Sequence, residues 1–199
     1  MIDRDDDRPI AAFDLDGTLI RGDSFLPFLA SVIGPASLAI ALARGPFRVR
    51  DEFKRALIRR TLGGRSEVEI CTNAERFAGQ ISARSWLQRG QIVNLARSLR
   101  SECSVGIVTA SPQLYAAALA ERLGLDWAIG TELAVGSDGC LTGELLGENC
   151  RGEAKSRKLA EHFPDRPIQW AVGDSPSDQP MLDLAARPLM LPKWWALRR

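Results

Sequence analysis

Ile10-Ala11-Ala12-Phe13-Asp14-Leu15-Asp16-Gly17-Thr18-Leu19 drives an apolar run straight into two carboxylates placed two positions apart, followed by Gly and Thr. An apolar run of this length ending at a glycine reads as a buried strand of about 10–14. Side chains alternate along a strand, so Asp14 and Asp16 would share a face if it continued. Gly17 points instead to a turn, which leaves both acids at the strand's C-terminal end. Open α/β sheets place their ligand sites there.

Two acids so close repel unless a cation lies between them or one stays protonated. A hard divalent ion such as Mg²⁺, which takes oxygen ligands, is one answer. A division of labour is another, with one carboxylate as nucleophile and its neighbour moving a proton. Taken alone, Asp-x-Asp-Gly is also an ordinary polar strand-to-turn junction.

The 199 residues fit one domain, or a core domain with a modest insertion. A hydrophobic fraction of 45% supports a proper core, and a net charge of +1 gives no reason to expect nucleic acid. Cys71, Cys103, Cys140 and Cys150 form no Cys-x-x-Cys pair and lie far from the single histidine, His162, which argues against zinc. Asp3, Asp5, Asp6 and Asp7 are the wrong sign for a secretory leader, so the expected setting is cytoplasmic. Residues 1–9 read as a mobile lead-in.

Outward from the first strand, Phe25 to Ala43 runs nineteen residues without a charge. That is long enough to suggest a membrane span, but Pro27, Gly34 and Pro35 would break it. Two short apolar helices hinged at Gly34-Pro35 are expected, buried in a helical bundle or facing a membrane or greasy substrate. From Arg44 to Arg65 eight cations face two acids, a net +6, with Phe53, Leu57 and Ile58 at helical spacing. This is a solvated amphipathic face or, beside the apolar run, a surface for anionic lipid at the inner membrane face or for phosphate. Residues 23–95 thus read as an all-helical insertion.

After it, strands are expected at 104–109, 126–131, 168–172 and 187–191, and helices at 112–123, 152–163 and 180–186. A hairpin is expected around Ser137-Asp138-Gly139. The alternation predicts a mostly parallel sheet with helices on both faces. Three further groups suit a phosphoryl site: Thr109-Ala110-Ser111 after a strand, Lys155 near a helix start, and Gly173-Asp174-Ser175-Pro176-Ser177-Asp178 after the next strand. A lysine gains nothing from the dipole at a helix start, so Lys155 is expected to neutralise something anionic.

In this order the four groups resemble the four motifs of the haloacid dehalogenase-like (HAD) hydrolase superfamily. The segments at 23–29, 108–115, 138–159 and 173–182 extend the likeness to its phosphoserine-phosphatase-like branch, subfamily IB. The resemblance covers residues 10–186. It implies a Rossmann-like core of residues 1–22 and 96–199 and a helical, C1-type cap of residues 23–95. It further implies an aspartyl-phosphate on Asp14 and proton transfer by Asp16. Mg²⁺ would be held by Asp14, the Asp16 carbonyl and Asp174, with Asp178 orienting that ion's surroundings. Thr109, Ala110 and Lys155 would bind the transferred phosphoryl group. Asp16 separates the chemistries, because the superfamily's dehalogenases lack an acid there. Asp23, a possible cap contact with substrate, stands where phosphoserine phosphatases carry a glutamate. The expected activity is hydrolysis of a small soluble phosphomonoester. The alternatives are a lipid phosphate, which Trp194-Trp195 and Arg198-Arg199 could assist, phosphoryl transfer to another acceptor, or a catalytically idle binding module.

Overall fold

The computed structural model describes residues 7–43 and 50–193. Its centre is β1 (Ile10–Phe13), all four residues of which are buried. Strand β1 lies between β2 (Ser104–Pro112) and β6 (Ile168–Gly173), and β3 (Trp127–Thr131) and β7 (Arg187–Met190) complete the sheet in the order β3-β2-β1-β6-β7. Every pairing is parallel, with Phe13 in register with Ile107 on one side and Val172 on the other. Phe13 is thus level with Ile107 and Val172, and Asp14 follows directly at the C-terminal end of β1. The expected α/β sheet is present, and its central strand β1 is buried throughout.

Around the sheet lie α1 (Phe25–Ile33), α2 (Pro35–Ala43), α3 (Arg50–Thr61), α4 (Glu67–Ala83), α5 (Gly90–Ser98), α6 (Gln113–Leu123), α7 (Glu153–His162) and the short α8 (Gln179–Leu182). The hinge read at Gly34-Pro35 is a bend of 116° between α1 and α2. Gly34 takes a φ of +82°, and Pro35 opens α2. Among the described residues no single helix is long and apolar enough to cross a membrane. The two helices have different fates. Helix α1 buries Phe28 and Leu29, whereas α2 buries only Leu38 and leaves Ile40 exposed.

A stack of aromatic rings fixes the helical insertion to the sheet's own layer. Phe28 of α1 lies 4.6 Å from Tyr115 of α6 between ring centroids, and Phe77 of α4 lies 5.4 Å from the same ring. The expected hairpin, β4 (Leu133–Val135) with β5 (Leu141–Leu145), braces the insertion from the other side. Gly64 N–H donates to the Leu141 carbonyl, Leu141 N–H donates to the Arg65 carbonyl, and Arg59 pairs with Glu144.

Two expectations need correction. Arg8 and Pro9, read as part of a mobile lead-in, are tied down: Arg8 donates to the Arg100 and Cys103 carbonyls, and Pro9 accepts from Ser104 N–H. The helix expected at 180–186 is a 3₁₀ turn at Pro176–Asp178 running into α8, which ends at Leu182. Ala186 N–H is already committed to the Ile168 carbonyl beside β6, so the chain must straighten before β7. Arg44, Arg48, Trp194, Trp195, Arg198 and Arg199 lie outside the described residues.

Candidate active site

The turn after β1 is where Gly17 matters. Its φ is +90°, and a Cβ there would stand 2.3 Å from Asp174 Oδ2. Only glycine lets the two acidic loops approach this closely. Asp14 N–H donates to the Val172 carbonyl, which holds the first acid against the end of β6.

Asp14, Asp174 and Asp178 then converge, each offering an oxygen within 4.8 Å of the others, and all three are buried. Lys155 projects from the first turn of α7 into this group. Its Nζ lies 2.5 Å from Asp14 Oδ1 and 2.7 Å from Asp178 Oδ1. The side chain is 2% exposed, so this ammonium belongs to the interior. Burial works against its charge, and Asp14 and Asp178 overcome that penalty and keep it protonated. Asp178 Oδ2 accepts from Ser175 N–H, Ser175 Oγ and Asp174 N–H, so both its oxygens are engaged. Burial alone would raise its carboxyl, yet Lys155 and the Ser175 donors hold it below the usual value. Asp178 thereby positions Lys155 and the Asp174 loop.

For Asp14 the balance goes the other way. Burial pushes its carboxyl up to about 7, against the pull of Lys155 and with Asp178 adding to the rise. Three buried carboxylates share one buried ammonium, Lys155, and the half-exposed ammonium of Lys193 at Asp174, which leaves them short of positive charge. A hard, oxygen-seeking divalent cation fits that donor set, with Asp14 and Asp174 as holders and Asp178 behind them.

Asp16 points away from this group. Its Oδ1 accepts from Ser24 N–H at 2.8 Å and its Oδ2 from Ser111 Oγ at 2.7 Å. Ser24 Oγ in turn meets Tyr115 Oη at 3.0 Å. The side chain is thus held between the start of the insertion and the end of β2. Burial raises the carboxyl to about 6 and Asp23 adds to the rise, while the Ser24 and Ser111 donors oppose it. A group poised there can give a proton and take one back near neutrality. Thr109, 1% exposed in the C-terminal half of β2, has its Oγ1 accepting from Ser111 N–H. Asp23 lies at the rim, with its Oδ1 accepting from Phe25 N–H.

Over these residues opens a cleft of about 410 Å³, bounded on the insertion side by Asp23, Phe25, Leu26, Phe53 and Lys54. Sequence reasoning gave Lys54 no role, yet it is 8% exposed and spans from α3 to the core. Its Nζ donates to the Ala110 carbonyl, to Thr131 Oγ1 at 3.1 Å and to Asn149 Oδ1 at 2.5 Å. Asn149 Nδ2 returns a bond to Asp51 Oδ1, so α3 grips Asn149 at two points. Burial brings the Lys54 ammonium down to about 8, against the pull of Asp51. A signal was available: Lys54 lies three and four positions before Leu57 and Ile58, which places a cation on the helix's apolar face. Lys54→Met is expected to lower unfolding stability by about 1–3 kcal/mol, because three acceptors lose a buried donor. Urea denaturation reads this, and unchanged stability would mean the bridge carries no weight.

Two cations on the opposite side were also missed. Arg89, a buried guanidinium, donates to the Gly17 carbonyl at 2.7 Å and braces the turn. Lys193, just past the strand expected at 187–191, reaches Asp174 Oδ2 at 3.1 Å. Leu191 N–H bonds to the Gly173 carbonyl, so the end of β7 delivers that lysine to the site.

A family profile for haloacid dehalogenase-like hydrolases matches residues 11–183, from within β1 to just past α8. The chain is a haloacid dehalogenase-like hydrolase. Within this superfamily the HAD chain is 38% identical over 185 residues to protein CicA of Caulobacter vibrioides, which covers 88% of this chain and 82% of the relative. It is 29% identical over 194 residues to phosphoserine phosphatase SerB1 of Mycobacterium tuberculosis, covering 87% of this chain and 61% of that one. Among solved structures, a protein of unknown function from Bordetella pertussis Tohama I aligns with a TM-score of 0.76 at 23% identity, over 96% of this chain and 93% of that one. A substrate-bound phosphoserine phosphatase aligns with a TM-score of 0.55 at 20% identity, over 96% and 90%. Both structures share the HAD fold.

Proposed function

We propose that this chain is a Mg²⁺-dependent phosphomonoester hydrolase that works through an aspartyl-phosphate. The observation that carries the reading is the buried Asp14–Lys155–Asp178 ion pair beside Asp174, with Asp16 held separately and poised to exchange protons. A carboxylate attacking a phosphate dianion meets severe repulsion, and a site lacking cations could not perform it. Mg²⁺ held by Asp14 and Asp174 would supply the missing positive charge.

In this reading an Asp14 oxygen bonds to phosphorus as the ester P–O bond breaks, and Asp16 delivers its proton to the leaving oxygen. Water then bonds to phosphorus and gives a proton to Asp16, the bond to Asp14 breaks, and inorganic phosphate leaves. Lys155 and Thr109 bind the phosphoryl oxygens, and Lys155 helps keep Asp14 ionised. The helical insertion acts as the cap. A cleft of about 410 Å³ suits a small soluble ester.

A lipid phosphate is the second reading, favoured by α2, whose Ile40 is 54% exposed. The test is phosphate release from p-nitrophenyl phosphate, phosphoserine, histidinol phosphate, phosphocholine and micellar phosphatidylglycerophosphate, each with Mg²⁺ and with EDTA. Turnover of a soluble ester that EDTA abolishes is the expected result. Turnover confined to the lipid would favour the second reading. Release from none of them would leave a binding module.

A further inference from the structure

Ten charged side chains line the cleft, and nine have a polar partner within the protein. Asp14 and Asp178 share Lys155, Asp16 is held by Ser24 and Ser111, and Asp174 pairs with Lys193. Asp23 accepts from Phe25 N–H, Asp51 from Asn149, and Lys54 is spent on Ala110, Thr131 and Asn149. Arg151 is the exception. It lines the cleft and is half-buried, and among the described residues its guanidinium makes no hydrogen bond or ion pair.

The backbone fixes where this side chain starts. Arg151 N–H donates to the Asn149 carbonyl in a tight turn, and the Arg151 carbonyl accepts from Ala154 N–H as α7 begins. Arg151 thus stands just ahead of the N-cap Gly152 of α7, four residues before Lys155 and two after the Asn149 that Lys54 grips. The site for the transferred phosphoryl group already has its own cation in Lys155. An unsatisfied guanidinium lining the same cleft has donors left over for something else. Its planar fork matches a carboxylate or phosphate in two parallel bonds, which a lone ammonium cannot do.

We infer that Arg151 binds a second anionic group of the substrate, a carboxylate or another phosphate, remote from the phosphoryl group that is transferred. The substrate class is then a bis-anionic phosphomonoester. This rests on the phosphatase reading and narrows it.

The test measures binding of non-reacting phosphonates by calorimetry. Ethylphosphonate carries one anionic group, phosphonopropionate adds a carboxylate, and ethane bisphosphonate adds a second phosphonate. The wild-type protein is expected to bind one of the two-headed probes about 10- to 100-fold more tightly than ethylphosphonate, the range for charge-assisted hydrogen bonds. Which probe wins identifies the second group. Arg151→Gln should collapse that preference towards unity, and Arg151→Lys should restore part of it. A wild-type protein without the preference, or an Arg151→Gln variant that keeps it, would overturn the inference. Turnover of p-nitrophenyl phosphate by the same wild-type sample separates the two layers. Turnover without an anion preference sinks the Arg151 assignment alone, whereas an anion preference without turnover sinks the phosphatase reading alone.

Discussion

Asp14→Asn is expected to reduce phosphate release by on the order of 10⁴-fold or more, the scale seen when a covalent nucleophile is removed. The amide cannot form the acyl phosphate, and no neighbouring group can stand in for it. Asp16 is held by Ser24 and Ser111, and Asp178 is saturated by Lys155 and the Ser175 donors. The fold should survive. Burial already disfavours a charge at Asp14, and Lys155 keeps Asp178 as its counter-ion in the variant. A thermal melt near the wild-type value together with lost turnover is the expected pair of results. Near-normal turnover would end the aspartyl-phosphate proposal.

Lys155→Met should damage both activity and stability. Removing one partner of a buried ion pair costs about 3–5 kcal/mol, because the charges left behind are unpaired. In a chain of this size that lowers the melting temperature by on the order of 10 °C. The pH dependence carries a definite sign. In the wild type the Asp178 carboxyl is held below its unfolded value, so its contribution is present above that value and fades as pH falls through the folded one. Without Lys155, burial is left to raise both Asp14 and Asp178, and stability is then lost as pH rises. The deficit of the variant should therefore widen from pH 4 to pH 7. Chemical denaturation at the two ends measures it, and an equal deficit at both would show that Lys155 acts by packing alone.

The sheet could be read from the chain because each strand advertises itself locally. Ile10–Phe13, Ser104–Thr109 and Ile168–Val172 are apolar runs, each ending at a polar loop. The acids and hydroxyls of the site stand at those ends, so their order along the chain already implied their convergence. The cleft's outer wall has no such local mark. Lys54 and Asn149 are 95 residues apart, and Lys193 meets Asp174 across 19 residues that fold through α8 and β7. Among the described cations of the stretch Arg44 to Arg65, nothing distinguishes buried Lys54 from Arg55, Arg59, Arg60 and Arg65 except its place on the helix. That place depends on knowing which face packs, and the hairpin and Asn149 decide this from far along the chain. Partners at such a distance are set by tertiary packing, which a single sequence reports only indirectly.

The ring stack of Phe28 and Phe77 on Tyr115 has a consequence for modularity. Hydrophobic packing is continuous across it, one cluster running from Phe13 and Ile107 in the sheet to Ile70 and Phe77 in the insertion. A helical insertion with its own separate core could be traded between hydrolases like a cartridge. Here the exchange would strip Tyr115, Leu119 and Ala120 of their cover and remove Ser24 from the oxygen of Asp16. Recombination between relatives would therefore have to carry α6 along with α1 and α4. Divergence of substrate preference is then confined to the side chains that rim the cleft, because the insertion itself is not free to change hands.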